Sequence, residues 1–213
     1  MKGIKAVIFD FDGVLVESVD VKTRAFAEMY RSYGGEIERA VISYHLEHGG
    51  RSRHEKFRHY EEQLLGQPLS SDREKKLADT FSRKVKEAVV DAPFVPGAYQ
   101  FLLNYHEKLS LFVASGTPEE ELKEIISRRD MSRFFVSIHG APARKAEIIR
   151  NICELNGFNS NFVLMVGDSR TDYEGAAAAG VSFIGRVPGN KPVFPSHIPV
   201  IPDLTTLHQY CLK

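Results

Sequence analysis

The sequence contains little cysteine, no tryptophan and no excess of charge of either sign. Its two cysteines, Cys153 and Cys211, are too few for a disulfide framework and match no paired zinc spacing, so we expect a reducing, cytoplasmic setting. The 28 Lys and Arg residues balance the 28 Asp and Glu residues, which argues against nucleic acid or an anionic membrane as a partner. No apolar run reaches the roughly 18 residues of a membrane-spanning helix, and the N-terminal run is too short for a signal peptide.

Of the 213 residues, 43% are hydrophobic and 26% are charged, which suits a globular fold with a sizeable core. Short apolar runs recur along the chain, and helical patterns or loops separate them. This alternation is typical of α/β proteins, and runs that are apolar throughout indicate a buried parallel sheet. The predicted strands span residues 5–10, 110–114, 162–166, 181–184 and 199–201. The predicted helices that alternate with the later strands span residues 97–107, 117–129, 145–156 and 170–179.

Residues 17–92 differ from the rest of the chain, because they show helical periodicity and no convincing strand. Paired glycines and a Gly-Gln-Pro turn divide this segment into four parts. The four predicted helices span residues 18–33, 36–48, 52–65 and 72–90. A turn-rich stretch at 92–97 follows, as a hinge between domains would. We therefore expect a four-helix domain of residues 17–92, inserted into a parallel-sheet core of residues 1–16 and 93–213.

Asp10 and Asp12 follow the first predicted strand directly. Residues two apart in an extended backbone point the same way, so both carboxylates are expected at the carboxyl end of the sheet, where open α/β sheets bind ligands. Two adjacent carboxylates repel each other, and a cation with a preference for oxygen ligands, such as Mg²⁺, would hold both ionised. The alternative is a simple turn, because Asp-Gly after a strand is also a common hairpin signal.

A second group of acids follows the strand at 162–166. Asp168 comes just before the next helix, and Asp172 lies one turn into it. Parallel strands end at the same edge of a sheet, so Asp168 would lie near Asp10 and supply another metal ligand, with Asp172 completing the set. Helix capping by Asp168 or Ser169, and the attraction of Asp172 to the helix dipole, would explain the same residues without a metal.

Two further helix starts could meet a phosphate. Ser115 and Gly116 follow the strand at 110–114, and the Ser115 hydroxyl with free backbone amides could hold an anion, although a well-capped helix would look the same. Lys145 opens another helix, where a cation opposes the helix dipole. It is therefore either an ordinary exposed lysine or one that is placed there to meet an anion.

Taken in order, four elements resemble the four motifs of the haloacid dehalogenase-like (HAD) superfamily. They are Asp10–Val14, Ser115–Thr117, Lys145 and Gly167–Asp172. The helical insertion is similar to the small C1 cap of the branch that contains phosphoglycolate phosphatases and β-phosphoglucomutases. The resemblance covers nearly the whole chain, and it implies a Rossmann-like core with an all-helical cap.

The resemblance implies that both acids of the first motif are catalytic. Asp10 would be the nucleophile that takes the phosphoryl group as an aspartyl phosphate. Asp12 would protonate the leaving oxygen and then deprotonate the hydrolytic water, and its main-chain carbonyl would bind Mg²⁺. Dehalogenases and phosphonate-cleaving members lack an acid at the position of Asp12. The expected activity is therefore Mg²⁺-dependent hydrolysis of a small phosphorylated metabolite, and the alternative is a sugar-phosphate phosphomutase that uses the same phosphoaspartate.

The resemblance also implies binding residues. Ser115, Gly116 and Lys145 would hold the phosphate, with Arg144 as a competitor of Lys145 because the usual Lys-Pro pair is missing here. The implied metal ligands are Asp10, Asp12, Asp168 and Asp172.

The cap would carry substrate contacts. Arg53 follows a Gly-Arg-Ser segment that resembles the substrate loop of this branch, and it is either a second clamp for a phosphate or carboxylate or a solvated arginine. Four clustered histidines could suggest a zinc site, but we interpret them as part of a solvated helix surface: His45, His48, His54 and His59.

Two other classes of protein are alternatives to an enzyme of this branch. A signalling receiver module, which also uses Asp, Mg²⁺ and Lys, is disfavoured by the helical insertion, and a catalytically inactive binding protein would fail to hydrolyse esters. The expected assembly is a monomer or weak dimer.

Overall fold

The computed structural model describes residues 3–189 and 193–211, and its centre is a six-stranded parallel sheet. The strand order is β3-β2-β1-β4-β5-β6, and every neighbouring pair is parallel. The strands are β1 (Ala6–Phe9), β2 (Ser110–Pro118), β3 (Ser137–Ala141), β4 (Val163–Gly167), β5 (Ser182–Arg186) and β6 (Val200–Ile201). The predicted fold class, a Rossmann-like parallel sheet that carries a helical insertion, is confirmed.

β1 lies at the centre of the sheet because it is apolar on both faces. Its residues pair with β2 on one side and β4 on the other. Val7 and Phe9 contribute to the hydrophobic core on one face, and Ala6 and Ile8 contribute to the core on the opposite face. Because side chains alternate along a strand, only a run without polar residues can fill both cores.

Helices cover both faces of the sheet. On one face lie α5 (Ala98–Tyr105) and α6 (Glu119–Arg128), and on the other lie α7 (Lys145–Leu155) and α8 (Arg170–Ala179). These four helices match the predicted ones, with α6 beginning two residues later than expected. A short C-terminal helix at His208–Cys211 also packs on the core, although the sequence pattern does not predict it. Among the helices of the described residues, none combines the length and the apolar character that crossing a membrane requires.

The insertion consists of helices, as predicted. Its α-helices are α1 (Val19–Tyr30), α2 (Gly35–Glu47), α3 (Arg53–Arg58) and α4 (Ser71–Asp91). A 3₁₀-helical turn extends α1, and a π-helical segment at His59–Leu64 extends α3. Aromatic rings form its interior, with Phe26 stacked on Phe81 at a centroid distance of 4.1 Å and Phe57 edge-on to Phe26 at 5.6 Å.

The two connections between the sheet and the insertion run side by side. Val16 forms bridges with both Asp12 and Phe94, so the chain leaves and re-enters the core at one place beside the end of β1. This arrangement holds the insertion over the carboxyl edge of the sheet. The exact domain boundaries at residues 16/17 and 92/93 stay a prediction.

Candidate active site

Acidic residues from two strands converge at the carboxyl edge of the sheet. Asp10 follows β1, Asp168 follows the neighbouring β4, and Asp172 lies in the first turn of α8. One carboxylate oxygen from each of these three residues lies within 4.8 Å of the other two. Within residues 3–189 and 193–211, this is the one group of three or more His, Cys, Asp or Glu side chains close enough together to hold a metal ion.

The Asp-Gly turn after β1 is also present. Gly13 has a φ of +76°, and its N–H donates to the carbonyl of Val16 at 2.8 Å. A Cβ atom at Gly13 would lie 2.1 Å from Asp168 Oδ2, so any larger residue would displace that carboxylate. The turn and the acidic cluster are therefore parts of one structure, in which the turn leaves room for the acid of the neighbouring strand.

Asp10 is buried and has one cation beside it. Its Oδ1 lies 3.0 Å from Lys145 Nζ, yet this oxygen accepts no hydrogen bond of good geometry from the described residues. Burial raises the pKa of Asp10 to about 7, because the lowering effect of Lys145 is smaller than the cost of desolvation. Burial and the neighbouring Asp10 and Asp172 also raise the pKa of Asp168. The excess of negative charge at this point is one that a bound cation would neutralise.

Lys145 begins α7 with its ammonium group inside the site, while Arg144 is exposed. Its Nζ lies beside Asp10 and donates to Asp172 Oδ1. Burial alone would lower the pKa of Lys145, but these two carboxylates outweigh burial and raise it. Asp172 also accepts hydrogen bonds from the backbone N–H and Oγ of Ser169, at 3.0 and 2.6 Å. The structure thus places Lys145, and not its neighbour, among the acids.

The Asp12 side chain points away from the other acids and has its own set of partners. Lys22 Nζ lies 2.5 Å from Asp12 Oδ2, Ser18 Oγ donates to Oδ1 at 2.6 Å, and Thr117 Oγ1 donates to Oδ2 at 3.0 Å. Burial would raise the pKa of Asp12, but Lys22 and the hydroxyl donors lower it below its ordinary value. The carboxylate of Asp12 is therefore ionised and lies outside the three-acid group.

Lys22, Ser18 and Thr117 are the site residues that sequence reasoning misses. Thr117 belongs to the second motif and could have been included on that ground. Lys22 lies on α1 of the insertion, ten residues after Asp12, and no sequence pattern marks it. It also donates to Thr117 Oγ1 at 2.8 Å, so it joins the insertion to both β1 and β2.

Ser115 lies in a strand and not at a helix start, because β2 continues to Pro118 and α6 begins only at Glu119. Its hydroxyl is buried and accepts the backbone N–H of Thr117 at 3.1 Å. Ser115 and Gly116 nevertheless line the same cavity as the acids.

The loop between α2 and α3 packs directly on the core. A Cβ atom at Gly116 would lie 2.8 Å from the carbonyl oxygen of Gly50, and one at Gly50 would lie 2.5 Å from Ser169 Oγ. Glycine at both positions therefore permits a close approach of two backbones. This contact closes the insertion over the three-acid group.

Arg53 is buried, and a core acid already compensates its charge. Its two terminal nitrogens lie 2.9 and 2.5 Å from the two carboxylate oxygens of Glu121 on α6, and its guanidinium stacks 4.8 Å from the ring centre of Phe81. Ser82 binds both partners of this pair. Arg53 is thus no solvated arginine. It lines the cavity, and its proposed role as a substrate clamp stays a prediction.

The interpretation of the clustered histidines as solvated surface is wrong for His45. His45 is buried, because it faces Phe26 in the aromatic interior of the insertion at a centroid distance of 5.0 Å. His54 is exposed, and His48 and His59 are partly buried. None of these side chains belongs to a metal-type group within the part of the chain that the structure describes.

A narrow cavity of about 80 Å³ joins the acids to the insertion. Its core side is formed by residues that include Asp10, Asp12, Ser115, Gly116, Thr117 and Asp168, and its insertion side by residues that include Lys22, Phe26, His45, Leu46, Arg53, Lys56 and Phe81.

Comparison with known proteins agrees with this architecture. A family model described as haloacid dehalogenase-like hydrolase matches residues 7–186. The phosphorylated carbohydrates phosphatase of Thermotoga maritima is 26% identical over 190 residues, which cover 85% of this chain and 84% of that protein. The phosphoglycolate phosphatase of Pseudomonas savastanoi pv. phaseolicola is 25% identical over 98% of this chain and 80% of its own length.

The fold also matches solved structures. A HAD hydrolase from Bacillus subtilis, solved with bound magnesium, superposes with a TM-score of 0.73 at 19% identity and covers 99% of both chains. The family model spans most of the chain, and the predicted resemblance and the prediction of a hydrolase are both confirmed. The chain therefore belongs to the haloacid dehalogenase-like hydrolase family.

Proposed function

We propose that the protein is a Mg²⁺-dependent phosphatase that hydrolyses a phosphomonoester of a small metabolite through an aspartyl phosphate on Asp10. The observation that carries the proposal is the buried Asp10 Oδ1, which lies beside Lys145 without a hydrogen bond of good geometry from the described residues. A second acid, Asp12, lines the same cavity in a separate setting. The two curated relatives are both phosphatases by name, which supports the same class of reaction.

The acidic cluster fits Mg²⁺. Asp10 and Asp168 offer hard oxygen ligands, the kind that Mg²⁺ prefers, and one oxygen of Asp10 lacks a hydrogen-bond partner among the described residues. Both oxygens of Asp172 are already engaged, by Lys145 and by Ser169, so we propose that it mainly positions these neighbours. When bound, Mg²⁺ supplies the positive charge that lets a carboxylate approach a phosphate dianion.

Asp10 would attack phosphorus, so that a bond from its carboxylate oxygen to phosphorus forms while the ester oxygen–phosphorus bond breaks. Asp12 would give a proton to the leaving oxygen, and in the second step it would take one from the water that hydrolyses the aspartyl phosphate. Lys22, Ser18 and Thr117 hold Asp12 ionised in the free protein, which prepares it for the second of these tasks. The proton for the first step would have to arrive with the substrate or from solvent.

Lys145 and Ser115 would hold the phosphate oxygens. The Lys145 ammonium stays protonated among the acids, so it can cancel repulsion between the phosphate and the attacking carboxylate. The loop at Gly50, which packs on Gly116, would keep bulk water out of the site. The phosphomutase alternative gains no support from the curated relatives, since both are phosphatases by name.

The test is phosphate release from p-nitrophenyl phosphate and from a panel of phosphorylated sugars and hydroxy acids, with Mg²⁺ and with EDTA. We expect metal-dependent release by the wild type and a loss on the order of 10³-fold or more in Asp10→Asn. Asp79→Asn, at an exposed position on α4, is the matched control and should keep full activity. Equal activity of Asp10→Asn and wild type would refute the proposal, and release that requires a bisphosphate would favour the mutase.

A further inference from the structure

Lys56 is a buried lysine of the insertion that lines the cavity. Its side chain is 3% exposed and lies on α3, across the cavity from the acids that end β1 and β4. Its Nζ lies 2.9 Å from His45 Nδ1 and donates to the carbonyl of Gly49 at 3.0 Å. The ring of Phe26 lies 5.7 Å away. The ammonium is therefore removed from water and held in place at the cavity wall.

The surroundings of Lys56 provide no counter-charge by direct contact. Within residues 3–189 and 193–211, no carboxylate forms an ion pair with it. His45 cannot compensate, because burial and the adjacent Lys56 lower the pKa of His45 to about 2 and keep the ring neutral. Burial and the like charge of Lys22 lower the pKa of Lys56 itself to about 7. A buried ammonium without a paired anion is costly for a folded protein.

The hydrogen-bond donors on this wall are not all used. An ammonium group carries three N–H donors, and two of them are accounted for by His45 and Gly49. The third N–H of Lys56 is left for an acceptor in the cavity.

Two other cations of the same wall differ from Lys56 in this respect. Arg53 is paired with Glu121, and Lys22 is paired with Asp12. The charges of Arg53 and Lys22 each form an ion pair with a carboxylate of the core, whereas the ammonium of Lys56 faces the cavity. Phe26 and Phe81 line the same end of the cavity and would keep water away from a bound anion, which strengthens an electrostatic contact.

We propose that Lys56 binds a carboxylate on the alcohol part of the substrate, so that the substrate is the phosphate ester of a small hydroxy acid. The inference rests on the proposed function, since the phosphate of the same molecule would lie at Asp10 and Lys145. A single open ammonium donor matches one carboxylate. A second phosphate group, with two charges and three oxygens, would need the donors that Arg53 and Lys22 already commit to carboxylates.

The experiment measures kcat/KM for two pairs of esters that differ only in one group. In 2-phosphoglycolate and 3-phosphoglycerate this group is a carboxylate, and in 2-hydroxyethyl phosphate and glycerol 3-phosphate it is a hydroxymethyl. We expect the wild type to prefer the carboxylate in at least one pair. Lys56→Met should lower kcat/KM for that ester about 10- to 100-fold, mostly through KM, and leave its neutral counterpart nearly unchanged. Lys76→Met, at an exposed position on α4, is the control and should change neither.

Thermal unfolding separates ligand binding from a structural role. Because the charge of Lys56 is buried and unpaired by any described carboxylate, Lys56→Met should unfold at a temperature no lower than the wild type. A lower unfolding temperature together with equal losses on all four esters would mean that Lys56 only supports His45 and Gly49, and the inference would be wrong.

The other contrary outcomes are equally distinct. A wild type that shows no preference for carboxylates, or that prefers propane-1,3-diol bisphosphate, contradicts the inference while leaving the phosphatase proposal intact, provided that p-nitrophenyl phosphate is hydrolysed. If none of these esters releases phosphate, the proposed function itself fails and the inference falls with it.

Discussion

Replacing Lys145 by methionine should destabilise the protein much more at alkaline than at acidic pH. Lys145 is buried, and its ammonium lies beside Asp10 and Asp172. Methionine has a similar length but no charge, so the variant keeps the packing and leaves these carboxylates without their cation. Removal of one partner from a buried ion pair costs about 3–5 kcal/mol of unfolding free energy. We expect a loss of this size at pH 8 in EDTA.

The pH dependence follows from Asp10. Its folded-state pKa is about 7, against an ordinary value of 3.8. Between these values the unfolded chain has released the proton while the folded protein retains it, so the folded state loses stability as pH rises, by up to about 1.4 kcal/mol per pH unit. Lys145 lowers the pKa of Asp10, so its removal raises that pKa and extends the loss of folding stability to higher pH. Near pH 5, Asp10 is protonated in both the wild type and Lys145→Met, and it contributes little to the difference between their unfolding free energies.

Urea denaturation of the wild type and Lys145→Met at pH 5 and pH 8, in EDTA, measures the effect. Lys76→Met controls for the loss of an exposed lysine. A destabilisation that is equal at both pH values, or larger at pH 5, would refute the assignment of Lys145 as the cation that holds these acids.

Two further predictions concern the insertion. Lys22→Met should raise the pKa of Asp12, because Lys22 lowers it. The acidic limb of the pH profile of kcat, measured where hydrolysis of the aspartyl phosphate limits the rate and Asp12 acts as a base, should then move to higher pH, and an unmoved limb would contradict this. Gly50→Ala should lower kcat/KM about 10- to 100-fold with little change in unfolding temperature, since the added Cβ would meet Ser169 Oγ at 2.5 Å and hold the insertion away from the core. Gly35→Ala, where an added Cβ would meet only the end of the Arg39 side chain at an ordinary 3.5 Å, tests whether any glycine change has the same effect on activity.

The elements that sequence patterns predict are those with strong local signals. β1, β2, β4 and β5 are apolar runs in the middle of the sheet, and the cap helices are bounded by glycine turns. The sequence pattern does not predict β3 at Ser137–Ala141. β3 lies at the edge of the described sheet and pairs with one strand, β2. Polar residues such as Ser137 and His139 are tolerated at such an edge, and they weaken the apolar pattern that would predict a strand.

The site residues divide in the same way, into those that a local sequence pattern predicts and those that only the folded arrangement brings together. The meeting of Asp10 with Asp168 follows from the topology of a parallel sheet, so two sequence motifs suffice to expect it. The pairing of Arg53 with Glu121 joins residues 68 positions apart in different parts of the molecule, and no local pattern encodes it. His45 is buried for a similar reason, because the aromatic interior of the insertion forms only when four helices pack together.

Trapping a phosphoryl adduct on Asp10 is the decisive measurement for the proposed mechanism. The wild type is mixed with a hydrolysed ester and Mg²⁺, quenched in acid during turnover, digested and examined by mass spectrometry. We expect a phosphoryl adduct on the peptide that contains Asp10, lost on treatment with hydroxylamine and absent from Asp10→Asn. Turnover without any adduct, or an adduct on another residue such as Asp12, would contradict the account.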